Sequence, residues 1–103
     1  MKFLQFGMFE VAKAADVAQA SDKVWASPPP GIKMLADYVC LGLAFPGHPP
    51  NTVVGVSVIE AESAEALTAV IYPLGLAGMS IWNVPVMELP VVGLAEVEKK
   101  LRG

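Results

Sequence analysis

An α+β domain, with two helices laid on one face of a four-stranded antiparallel sheet, is predicted by three features of the chain. Apolar residues alternate with a period of two in four stretches, recur at helical spacing in two others, and the stretches follow the order strand, helix, strand, strand, helix, strand. The 103 residues suffice for one domain spanning 1–103 and no more.

The elements follow in order. Residues 2–10 read as a strand with Phe3, Gln5, Gly7 and Phe9 on one face and Leu4, Phe6 and Met8 on the other. From Val11 to Ala26 the spacing becomes helical, with Ala14, Val17, Ser21, Val24 and Trp25 on one stripe. Ser27, Pro28, Pro29 and Pro30 end that helix, since proline lacks the amide donor and disfavours helical geometry in the residue before it. A second strand is expected from about Ile32 to Leu43, and a third from Thr52 to Ala61, rich in the β-branched residues that suit a pleated surface. The loop Phe45 to Asn51 joins them. Ser63 is a suitable cap for a helix whose inward stripe is Leu67, Val70, Ile71 and Leu74 and which ends between Pro73 and Gly78. Period two returns from Met79 to Leu89; Pro85 cannot donate to a ladder, so this fourth strand belongs at an edge or carries a bulge. Pro90 breaks it, and Leu94 to Leu101 forms a short closing helix. The order is that of the split βαβ, ferredoxin-like arrangement, in which both helices cover one face and the other is left open.

Composition says what must happen to the open face. Hydrophobic residues make up 54% of the chain and charged residues 17%, where about 25% charged is usual. Disorder is excluded, because collapse is prevented by low hydrophobicity and high net charge, and this chain has neither. If the purely apolar alternates lie beneath the helices, the open face still carries Phe3, Phe9, Val53, Ile59, Ile81 and Met87. Monomers rarely expose such a patch, so a homodimer built sheet to sheet is expected.

The net charge of −3, with no basic stripe, argues against nucleic acid as a partner. Cys40 is alone, which excludes an intrachain disulfide and fits a reducing cytoplasm. Met1 to Glu10 reaches an acid after a short apolar stretch and has no cleavage site, so no signal peptide is expected. Two longer uncharged stretches deserve comparison with a membrane span. Tyr38 to Ile59 contains Pro46, Gly47, Pro49 and Pro50, which would leave backbone groups unpaired in lipid. Ala66 to Met87 is interrupted by Pro73, Gly75, Gly78 and Pro85 and changes period, leaving a spanning helix as the lesser reading.

Several segments resemble a known family: the Met1, Lys2, Phe3 opening, SPPPGIKMLADY from Ser27 to Tyr38, and GVSVIEAESAEALTAV from Gly55 to Val70. They are similar to the DUF3303 family, small bacterial and archaeal proteins of the dimeric α/β-barrel superfamily, related in shape to antibiotic biosynthesis monooxygenase domains. The resemblance covers about residues 2–90. It implies the ferredoxin-like fold and a dimer, and no reaction. Where that family is expected to carry a basic residue, an aromatic residue and a histidine on the second strand, this chain has Asp37, Tyr38 and Val39.

Candidate chemistry is sparse. A single histidine, His48, allows no triad or histidine-rich metal set. Lying in the Gly47 to Pro50 loop, it is either a general base or haem ligand on a lid or, more simply, an exposed loop residue. Glu60, Glu62 and Glu65 sit at a strand end and helix start, where they favour the helix dipole rather than a metal. No cofactor motif is present. The polar residues Gln5, Asp37, Ser57 and Asn83 are assigned to the open face, pointing between the sheet and its partner, with Tyr38 and Trp82 beneath the helices. Apolar walls with a few converging polar groups make the usual ligand site, although such groups also satisfy one another by hydrogen bonds. Two function classes follow. One is a non-catalytic dimeric module that binds a small apolar molecule or serves in assembly. The other is a cofactor-independent oxygenase or isomerase acting on an aromatic substrate, with Asp37 or Asn83 orienting or deprotonating it.

Overall fold

Phe3, Gln5 and Gly7 are buried and Leu4, Phe6 and Met8 half-buried along β1 (Lys2–Glu10) in the computed structural model, which describes residues 1–103. This alternation is that of a strand whose two faces meet different surroundings. On one side β1 pairs with β3 (Thr52–Ala61) and on the other with β4 (Ser80–Val86), while β2 (Ile32–Val39) pairs with the outer side of β3. All pairs are antiparallel and the order is β2-β3-β1-β4, the ferredoxin-like arrangement. Helix α1 (Ala14–Ala26), entered through a 3₁₀ turn at Val11–Lys13, links β1 to β2. A second 3₁₀ turn, Glu65–Leu67, leads into α2 (Thr68–Leu76), which links β3 to β4, and α3 (Leu94–Arg102) closes the chain.

The bounds of β1 and β3 match the sequence pattern residue for residue. β2 is shorter than expected: Cys40 still donates to the Val54 carbonyl at 2.8 Å, but Gly42 then turns the chain with a φ of 75°. β4 stops at Val86, short of Leu89, and lies at an edge, as Pro85 requires. Helix starts and stops are locally made. Ser63 Oγ accepts the Ala66 amide at 3.2 Å. At the end of α2 the amides of Gly78 and Met79 bond the carbonyls of Gly75 and Leu74 at 3.1 Å each, a Schellman motif whose left-handed residue, with a φ of 112°, is Gly78.

The core lies between the two helices and one face of the sheet, built from Phe3, Ile32, Ile59 and Ala61 below and Leu67, Val70 and Leu74 above. One expectation is thereby corrected. The helices α1 and α2 cover the face of Phe3, Gln5, Ser57 and Ile59, and it is the alternate face that is free of them, with Leu4, Phe6 and Met8 of β1, Val56 and Val58 of β3, Tyr38 of β2, and Trp82 and Val84 of β4; Val54, at one end of that face, is 3% exposed. Tyr38 is 63% and Trp82 42% exposed, so neither is under a helix. The physical reason is that alternation gives the period of a strand but not its phase. Where both phases are apolar, nothing in the strand itself says which one the crossover helices cover.

Beyond this core the chain is open. Its Cα radius of gyration is 15.7 Å, where about 13 Å is usual for 100 residues. Helix α3 buries no residue, and Val91 and Val92 before it are fully exposed. A tie from Lys2 to Glu88 fastens the start of β1 to the segment after β4. That hydrogen-bonded contact raises the Lys2 ammonium and lowers the Glu88 carboxyl from their ordinary values. No helix is long and apolar enough to cross a membrane.

Candidate functional site

One row of the helix-covered face is polar from edge to edge. The register places Asp37 opposite Ser57, Ser57 opposite Gln5, and Gln5 opposite Asn83. Asp37 joins this row because of a bulge at Leu35, where the β2–β3 register steps from Met34–Ile59 to Ala36–Val58. The extra residue inverts the faces that follow, carrying Asp37 to the same side as Ile32 and Met34. The four side chains pair in two couples: the Ser57 hydroxyl donates to Asp37 Oδ1 at 2.8 Å, and Gln5 Nε2 donates to Asn83 Oδ1 at 3.1 Å. Gln5 is 3% and Ser57 8% exposed, so these bonds meet the cost of burying polar groups beneath the helices.

Beside the polar row the sheet has room. In the next row Gly55 stands opposite Gly7, and neither offers a side chain. The methyl end of Met79 fills the place over Gly7: a Cβ built there would fall 1.8 Å from Met79 Cε. No such filling lies over Gly55, where the nearest atom to a built Cβ is the Tyr38 carbonyl oxygen at 3.4 Å. Above, α1 presents the small residues Ala14, Ala18 and Ser21 toward the sheet. The result is a cavity of about 410 Å³ between α1 and the sheet, walled by Phe9, Val17, Trp25, Met34 and Val53, with Gln5, Asp37 and Ser57 on its polar side. Its size falls within the ~300–1,000 Å³ of small-molecule sites.

Three of the expected site residues thus reach one cavity, although on the opposite face of the sheet from that assigned by the sequence pattern. Asn83 is not in the lining; it stands behind Gln5 and fixes the orientation of its amide. His48 is apart from all four. Its Nδ1 accepts the Ala44 amide at 3.0 Å, its Nε2 bonds the Thr52 carbonyl at 3.2 Å, and its ring stacks on Phe45. With Nδ1 accepting, Nε2 carries the proton and donates, so both nitrogens are spent holding the β2–β3 loop. The apolar lining was foreshadowed by the α1 stripe of Ala14, Val17, Ser21 and Trp25. The gap over Gly55 needed the strand register to be seen.

No family model matches the chain, and no curated protein does. Solved structures share its fold. An uncharacterised protein from Thermotoga maritima superposes with a TM-score of 0.55 at 13% identity, over 84% of this chain and 96% of that one. A protein of unknown function from Galdieria sulphuraria gives 0.51 at 8% identity, over 87% of this chain and 47% of that one, so the chain spans about half of its length. A protein assigned as an antibiotic biosynthesis monooxygenase, from Deinococcus radiodurans, gives 0.48 at 12% identity, over 90% and 100% of the two chains. At such identities the likeness to the first two is one of fold alone.

Proposed function

We propose that this chain binds a small, mainly apolar molecule in the cavity between α1 and the sheet. The observation that carries the reading is the conjunction of an apolar chamber with a hydrogen-bonding row along one side, the buried Gln5 and Ser57 and the exposed Asp37. No neighbouring side chain comes within 4 Å of a Cβ built on Gly55, so the space over it stays open. The DUF3303 resemblance and a cytoplasmic location belong to the same reading, supported by the Ser27–Tyr38 and Gly55–Val70 segments and by the unpaired Cys40.

The test is a titration with a neutral probe, 3-phenylpropan-1-ol, followed by the amide resonances of Gly55 and Ser57. Binding is expected to shift both signals in the natural chain and to vanish in Ser21→Phe, whose ring fills the chamber from α1. Signals that stay in place up to millimolar probe, or a Ser21→Phe chain that binds as well, would reject the reading.

A second reading is favoured by the Asp37 carboxylate: a base bordering an apolar chamber is what cofactor-independent proton abstraction from an aromatic substrate, in an isomerase or oxygenase, requires. In that case Asp37→Asn abolishes turnover while the alcohol still binds. Turnover unchanged by the substitution excludes the role.

We also propose that a second copy covers the free sheet face. The chain exposes 6991 Å², whereas a folded monomer of 10.9 kDa exposes ~5,600 Å². The surplus of about 1,400 Å² exceeds the ~800 Å² each partner buries in an ordinary interface. Phe6 and Trp82, stacked with centroids 5.5 Å apart, form the aromatic centre of that face.

A further inference from the structure

We infer that the cavity selects molecules whose apolar body ends in a cationic hydrogen-bond donor, an organic amine, and that Asp37 is the group that holds it. The inference rests on the ligand-binding reading above and adds the chemistry of the ligand's polar end.

Among the residues lining the cavity Asp37 alone is charged; no lysine, arginine or histidine is there to receive a carboxylate or a phosphate. The chain's ion pairs use Glu60, Glu88, Glu96 and Glu98, and none includes Asp37. Ser57 donates to its Oδ1, and no protein donor engages Oδ2. The carboxylate is therefore held in place on one oxygen and open on the other. Asp37 is itself exposed, which puts it at the mouth of the chamber, with Gln5 and Ser57 deeper in.

This layout matches an amphipathic cation. An ammonium carries donors and no acceptor, and both the open carboxylate oxygen and the amide oxygen of a glutamine are acceptors. A head group at the mouth keeps part of its hydration while the body is buried, the same compromise by which lysine side chains lie along apolar surfaces. Apolar walls lower the local dielectric and strengthen attraction between opposite charges. The wall includes the aromatic residues Phe9 and Trp25, a residue type whose ring faces favour a cation over an anion.

Three probes of one shape separate charge from apolar burial: 3-phenylpropylamine, 3-phenylpropan-1-ol and 3-phenylpropionate, each titrated at pH 7 into the full chain and into Asp37→Asn. The natural chain is expected to bind the amine about tenfold more tightly than the alcohol, the gain usual for a hydrogen bond to a charged group partly open to water. The carboxylate should bind most weakly. In Asp37→Asn, where the asparagine oxygen still accepts from Ser57 but carries no charge, the amine should fall to the level of the alcohol measured in the same variant. An amine that binds no better than the alcohol, or a preference that survives in Asp37→Asn, overturns the inference and leaves the cavity reading standing. If none of the three probes shifts Gly55 or Ser57, it is the cavity reading that fails.

Discussion

Replacing Phe3 by Ala is expected to lower the unfolding free energy by about 3–5 kcal/mol, a large share of the ~5–15 kcal/mol that holds an ordinary domain together. Phe3 is 1% exposed, sits on β1 between two paired strands, and belongs to the cluster with Ile59, Leu67, Val70 and Leu74. Removing the ring leaves a void that α2 and the sheet can close only in part, so the lost burial and the residual cavity both count. All these contacts lie within one chain. The loss, read from urea unfolding, should therefore be the same at every protein concentration. A Phe3→Ala chain that unfolds normally but self-associates less would show that Phe3 faces a partner instead, the placement its sequence pattern suggested.

That contrast marks where the sequence was legible. β1 and β3 were readable to the residue because alternation and β-branched side chains are properties of the strand alone. The same holds for Ser63, which caps through its own hydroxyl, and for Gly78, whose left-handed φ of 112° makes it the natural end of α2. What could not be read depends on two strands at once. Phase was ambiguous because Leu4, Phe6 and Met8 are as apolar as Phe3 and Phe9, so either set would serve as a core face. The bulge at Leu35 carries no proline or glycine to announce it, yet it decides that Asp37 meets Ser57. Gly7 and Gly55 were visible singly, but the gap they open exists only because the register sets them side by side. The sequence grouped Gln5, Asp37, Ser57 and Asn83 on one face, and the register brings them into one row; the helices, rather than a partner sheet, cover it.

Phe6→Asp should have the opposite signature to Phe3→Ala. Phe6 stands three residues further along the same strand, half-buried on the free face, opposite Val56 on one side and Trp82 on the other. In a lone protomer an aspartate there remains accessible to water and costs little, and the helix-side core is untouched. Between two sheets it becomes an unpaired charge in an apolar layer, which costs several kcal/mol per ion even after relaxation. In a symmetric interface each protomer brings one such charge. The dissociation constant should therefore rise at least ~1,000-fold, the equivalent of about 4 kcal/mol. Sedimentation or native mass spectrometry at micromolar chain should find the natural protein as a dimer and Phe6→Asp as a folded monomer. Unfolding of the variant should then lose its dependence on protein concentration, since no association remains coupled to folding. A natural chain that is monomeric at these concentrations would refute the covered face directly. A Phe6→Asp chain that stays dimeric would move the interface elsewhere, to other exposed apolar surface such as Val91, Val92 and α3, Leu41 and Leu43 after β2, or Tyr72 and Leu76 of α2.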